Sequence, residues 1–156
     1  MNANRLALLF LCFFFVLSSC HQQTEEDRVK KVITTVQKAA EEKDVKEILS
    51  HLSKTYRDPQ GNDYDGVKGL LLLYFYRHQQ ISIFIPDLAV SVTDSSGAAK
   101  FQAVLTGRNK GAGNILPESL GVYVFDVTFV KDAEEWKIAS AKWERLADSM
   151  PASSGQ

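Results

Sequence analysis

A chain of 156 residues, 45% of them hydrophobic, carries enough apolar side chains to bury one domain core and too many for a disordered segment. Its formal charge of -1 is scattered along the chain with no basic cluster, which sets nucleic acid aside as a partner. The 2 cysteines, Cys12 and Cys20, lie in or beside an apolar leader, so disulfides, thiol catalysis and cysteine metal sites are excluded for the folded region.

Arg5, the apolar run Leu6 to Leu17 and the small pair Ser18-Ser19 follow the plan of a secretory signal. That run is 12 residues long, short of the roughly 20 that a helix needs to cross a bilayer. The tetrad Leu17-Ser18-Ser19-Cys20 resembles the lipobox of bacterial lipoproteins, in which the cysteine becomes acylated and N-terminal after cleavage. An ordinary signal peptide with a chance cysteine is the alternative. The resemblance implies a signal peptide over 1–19, a lipidated tether over 20–23 and a lipid anchor at Cys20. It also implies a place in a bacterial cell envelope, at the outer membrane in a Gram-negative source. A folded domain over 24–146 and a flexible tail over 147–156 complete the plan. Only about four residues separate Cys20 from the first helix cap, and at roughly 3.5 Å each they hold the domain within about 14 Å of the lipid.

Thr24 before Glu25, Glu26 and Asp27 reads as an N-cap with acids at the positive end of a helix dipole. Val29, Val32, Ile33, Val36, Ala39 and Ala40 then recur on a single stripe. Asp44 with Glu47 repeats the capping signal ahead of a shorter stripe of Val45, Ile48, Leu49 and Leu52. Asp58-Pro59-Gln60-Gly61 has the chemistry of a turn. Asn62, Asp63 and Asp65 do not make a calcium loop, because its first ligand would fall on Gly61 and its bidentate acid on Leu72; Asp63 or Asp65 is expected to cap the next helix. From Val67 to His78 the chain is apolar on nearly every side, which predicts a centrally buried helix, with a strand as the lesser alternative.

Ile81, Ile83 and Ile85 alternate with polar or outward positions, and beyond Pro86-Asp87 the phase passes to Leu88, Val90 and Val92, as at a bulge or an edge. Ala99, Phe101, Ala103 and Leu105 form the next strand, and Asn109 to Ser119 reads as a glycine-containing rim or lid loop. Tyr123, Phe125, Val127 and Phe129 share one face of a long strand that turns through Lys131 to Glu135 into Trp136-Lys137-Ile138 and Trp143.

Helices followed by four antiparallel strands make an α+β plan with N-terminal helices on one sheet face. On Lys43-Asp44 with its helix, Ala99 to Val104, Phe125-Asp126-Val127-Thr128-Phe129, Trp136-Lys137-Ile138 and Trp143-Glu144, the chain resembles the nuclear transport factor 2-like, or SnoaL-like, superfamily. Glu135 stands where that family usually has a glycine. The resemblance implies a cone-shaped, cystatin-like domain with a curved sheet, an apolar pocket open at one end and frequent dimerisation. It spans isomerases of the ketosteroid isomerase-like kind, dehydratases and hydrolases, together with members that only bind.

Such catalysis needs a carboxylate base and hydrogen-bond donors aimed into an apolar pocket. Asp126 falls on the outer phase of its strand and faces solvent or an interface. Asp58 and Tyr56 flank the turn near the presumed mouth and are the candidate acid and donor, with turn duty for Asp58 as the competing role. His78, four residues after Tyr74, is a candidate base or a satisfied helix-end histidine. His51 sits at the edge of the second helix's stripe, and His21 in the tether. No cofactor and no metal ligand set is expected. Tyr74, His78, Phe101, Tyr123, Phe125 and Trp136 are expected to line a mainly apolar pocket, or else to fill a solid core. Three functions follow: a tethered module that binds a small apolar ligand or envelope protein without catalysis, a small-molecule isomerase or lyase, or a structural envelope component. A homodimer through the outer sheet face is expected from Val104, Thr106, Val122, Val124, Thr128 and Val130.

Overall fold

The computed structural model describes residues 23–109 and 118–146. The leader, Cys20, the whole of the expected tail and the centre of the expected rim loop therefore lie outside the described residues.

Three helices precede five strands: α1 (Glu25–Glu42), α2 (Val45–Ser50), α3 (Tyr64–Arg77), β1 (His78–Phe84), β2 (Leu88–Val92), β3 (Ser96–Asn109), β4 (Glu118–Asp132) and β5 (Glu135–Arg145). Asn109 and Ser119, expected in the rim loop, are strand residues, since β3 and β4 run on past their apolar stretches. All pairing is antiparallel, in the order β1-β3-β4-β5, and β2 also pairs with β3. The sheet is curled, with the helices on its inner side, and the class is α+β. Pro86 explains why there are five strands instead of four. It cannot donate to a ladder, so the chain leaves β3 after Phe84 and rejoins it at Leu88, and both pieces lie along the same side of β3.

The helix starts are chemical. Thr24 Oγ1 accepts from the Asp27 amide at 3.1 Å while Asp27 returns a bond to the Thr24 amide, a capping box. Asp44 caps α2 by accepting from the Glu47 amide at 2.9 Å, and Asp63 caps α3 by accepting from the Gly66 amide at 2.9 Å. Between α1 and α2, Lys43 takes a left-handed φ of 60°, and the Asp44 amide reaches back to the Ala39 carbonyl at 2.8 Å, so the chain doubles back within two residues.

The inner sheet face is set by alternation with one break. On β5, Trp136 and Ile138 point inward, and a bulge pairs Thr128 with Ser140 and Phe129 with Ile138, leaving Ala139 over. The extra residue shifts the phase, so Ala141 and Trp143 also reach the inner side. Asp126 is outward as expected, with its carboxylate 3.1 Å from the Lys100 ammonium of the paired strand. Val29, Ile33, Phe129, Trp136 and Ile138 belong to one buried core with Ile48, Leu49, Leu52 and Tyr56.

The expectation of a centrally buried helix over Val67 to His78 is wrong in one respect. The segment is a helix, but no residue of α3 is buried. Tyr64, Val67, Leu71 and Phe75 pack partly against the core, Leu70 lies at its edge, and Leu72, Leu73 and Tyr76 stand outside. The helix leans across the open end of the sheet and is covered on one side alone.

Candidate functional site

The gap between α3, α1 and the inner sheet face is an apolar cavity of two joined chambers, of about 280 Å³ and about 340 Å³. Both are walled by Val36 of α1, Leu71 and Tyr74 of α3, Leu105 of β3, Phe125 of β4 and Ile138 and Ala141 of β5. The first chamber extends to Ile81, Ile83, Ile85 and Phe101, and the second to Tyr56, Tyr123 and Trp143. Phe101 and Phe125, paired across β3 and β4, stack with ring centroids 5.1 Å apart and make a flat aromatic floor.

Polar atoms at the walls are few and mostly engaged. The Gln37 amide donates to the Ile83 carbonyl at 2.7 Å. The Tyr56 hydroxyl donates to Asp58 Oδ2 at 3.2 Å, and burial, followed by the Asp58 charge and that hydrogen bond, pushes the phenol far above its ordinary range. Burial, then the neighbouring Tyr123, also raises the Tyr74 phenol. Both phenols stay neutral at any physiological pH and can only donate or accept hydrogen bonds. Among the described residues no carboxylate and no imidazole lines either chamber, and no group of His, Cys, Asp and Glu is arranged to hold a metal.

Four expected pocket residues, Tyr74, Phe101, Tyr123 and Phe125, stand together at the cavity. Trp136 does not. It lies at the far end of the same face, 3% exposed, with its indole donating to Glu25 Oε2 at 2.7 Å beneath the start of α1. Sharing the inner phase of β5 put it in the core but seven residues from Trp143, the tryptophan that does reach the cavity. His78 is not a wall residue either. At the α3–β1 junction its ring lies 4.5 Å from the Tyr74 ring, its Nδ1 is buried without a hydrogen-bond partner, and its carbonyl accepts from the Lys43 ammonium.

Asp58 is buried, at 8% exposure, but its oxygens are committed to the turn. Oδ1 accepts from the Asn62 backbone amide at 2.8 Å, both oxygens accept from the Asn62 side-chain amide at 3.0 and 3.2 Å, and Tyr56 supplies the remaining bond. Turn duty is therefore what Asp58 does, with the Tyr56 hydroxyl as the link between turn and cavity. Sequence reading missed Val36, Leu105, Ala141 and Trp143 as wall residues. The alternation of β3 carried a signal for Leu105, and the stripe of α1 one for Val36; Ala141 and Trp143 were hidden by the bulge at Ala139.

No protein-family model matches the chain, and no curated protein matches it. Solved structures do. A nuclear transport factor 2-like superfamily protein from Salmonella enterica superposes with a TM-score of 0.68 at 12% identity, over 84% of this chain and 96% of that one. A protein with a cystatin-like fold from Novosphingobium aromaticivorans gives 0.65 at 13% identity, over 95% and 92%. Bd1075 of Bdellovibrio bacteriovorus gives 0.65 at 11% identity over 80% of this chain, which spans 44% of that longer protein. At these identities the likeness concerns backbone architecture, and the conclusion it carries is that this chain has the cystatin-like fold of nuclear transport factor 2-like proteins.

Proposed function

We propose that this chain is a membrane-tethered envelope lipoprotein whose domain binds a small apolar ligand without catalysis. One observation carries the reading: two joined chambers with aromatic and aliphatic walls and no carboxylate or imidazole lining them among the described residues. The joined chambers, about 280 and 340 Å³, offer space of the order that encloses a small molecule, and such walls repay the ligand for leaving water without orienting it for reaction. The anchor is supported by Leu17-Ser18-Ser19-Cys20 and the short tether that follows.

A second reading, an isomerase or lyase, is favoured by Tyr56, a buried hydroxyl at the wall that is hydrogen-bonded to a carboxylate. A solved structure from Streptomyces avermitilis, described as a candidate dehydratase of the nuclear transport factor 2-like family, supports it at the level of fold, with 17% identity and a TM-score of 0.66 over 78% of this chain and 96% of that one.

Native mass spectrometry of the full chain tests both. A retained apolar molecule is expected, and Ala141→Trp, which fills the space common to both chambers, should remove it. An adduct-free mass together with no uptake of an apolar dye would overturn the binding reading. If the extracted molecule is consumed by the wild-type chain and not by Tyr56→Phe, the enzyme reading replaces it. The same spectrum reads subunit number, for which a dimer through the outer face at Val124 and Val130 is expected; both are 37% exposed.

A further inference from the structure

The inner face of the sheet continues past the cavity toward the open end. Leu105, a wall of both chambers, pairs with Gly121, and Tyr123, a wall of the second, pairs with Arg145. Residues directly opposite each other in an antiparallel ladder project to the same side, so Gly121 and Arg145 take the inner side. Arg145 also stands two residues beyond the wall residue Trp143 on β5, in the same phase. Its side chain lies over the Gly121 backbone, beside the edge of the Tyr123 ring. A Cβ built on Gly121 would stand 2.8 Å from Arg145 Nε, 3.3 Å from Nη2 and 3.2 Å from Tyr123 Cε2. Any other residue would therefore push the guanidinium off the tyrosine, and a φ of 130° at this position favours glycine as well.

Arg145 makes no ion pair and no hydrogen bond with a described residue. Glu144 beside it projects the other way, with its carboxylate 2.8 Å from the Lys142 ammonium. No charged side chain lines either chamber among the described residues. The rim thus carries a cation that the interior lacks.

We infer that Arg145 is the head-group contact of the cavity, and that the ligand is an apolar body ending in a single carboxylate. The inference rests on the ligand-binding reading and names the class of molecule bound. A charge could not be buried among the apolar walls without a partner, so a charged end has to stay at the rim. There the planar fork of the guanidinium matches the two oxygens of a carboxylate, and its one positive charge balances one negative. The apolar body would lie along the Phe101–Phe125 floor, with Tyr123 between body and head.

The test is displacement of the neutral dye Nile red from the full chain by decanoate and by decanamide, which share a body and differ in charge. The wild type should bind the acid about fivefold more tightly than the amide, or better, the upper end of what an exposed ion pair supplies. Arg145→Gln should erase that preference by weakening decanoate alone, with decanamide affinity and the urea midpoint unchanged. Arg145→Lys, which keeps the charge and loses the fork, should fall between the two. Equal displacement by acid and amide in the wild type, or a preference that survives Arg145→Gln, overturns the inference while the uptake of dye leaves the ligand reading standing. A wild-type chain that takes up no dye overturns both.

Discussion

Where β4 turns into β5, Phe129, Trp136 and Val29 close on one another to 1%, 3% and 0% exposure, and Glu25 ties the indole to the start of α1. At the other end of the same face, Phe101 and Phe125 stack in line with their neighbours but look across open space at α3, which has no buried residue. The two ends use the same residue types on the same strands, so composition is not what separates them. The filled end has a helix crossing directly over the sheet. The open end has a helix propped at its margin by Asp63, Val67 and Leu71. An aromatic ring is packing where a second element presses on it and lining where none does.

The sharpest way to break this contrast is a pair of truncations. Phe129→Ala removes a fully enclosed ring and should lower stability by about 3–5 kcal/mol, the transfer loss plus the hole left behind. Phe101→Ala removes a half-buried ring beside existing space, so about 1–2 kcal/mol is expected, together with a changed affinity for apolar ligands. Urea midpoints for both variants check it, and equal losses would mean that the cavity is packed in solution. Next in size are the caps. Thr24→Ala at the filled end and Asp63→Ala at the open end should each cost about 1 kcal/mol. Only Asp63→Ala should also disturb ligand retention, because α3 is a cavity wall. The smallest effect is on pH. The Trp136 indole, then Arg28 and Lys131, hold the Glu25 carboxyl below its ordinary value. A depressed acid stabilises the fold above its unfolded pKa and loses that contribution as pH falls through the folded one. The urea midpoint of the wild type should therefore begin to fall below about pH 4.3, and part of that slope should vanish in Glu25→Gln.

Much of the architecture was readable because it rests on local chemistry. Thr24, Asp44 and Asp63 announce their helices by side-chain oxygens at the right offset, and Pro86 announces its break by lacking an amide. What could not be read depends on what lies opposite a face. An apolar surface all round α3 has the same periodicity whether protein, lipid or water surrounds it, so the expectation of burial failed there. The bulge at Ala139 defeats a period of two because one unpaired residue changes the side on which everything after it falls, hiding Ala141 and Trp143. Asp58 was readable as a turn residue, but only coordinates show its carboxylate consumed by Asn62, which removes the acid that a catalytic reading needs. Whether the aromatic floor was lined or filled was equally silent, since alternation records which side a ring takes and nothing about the space beyond it.

The interruption at Pro86 bears on how the protein avoids clumping. An uninterrupted outer strand from His78 to Val92 would offer a long row of free amides and carbonyls, the template on which foreign strands add and fibrils grow. Here that row is cut into lengths of 7 and 5 residues. On the longer piece, Ile83 already spends its amide on Glu41 at 2.7 Å and its carbonyl on Gln37 at 2.7 Å, both from α1. A helix side chain thus occupies the docking position an incoming strand would need. The chain gains protection from cross-strand recruitment without a single charge on the inner face of that strand.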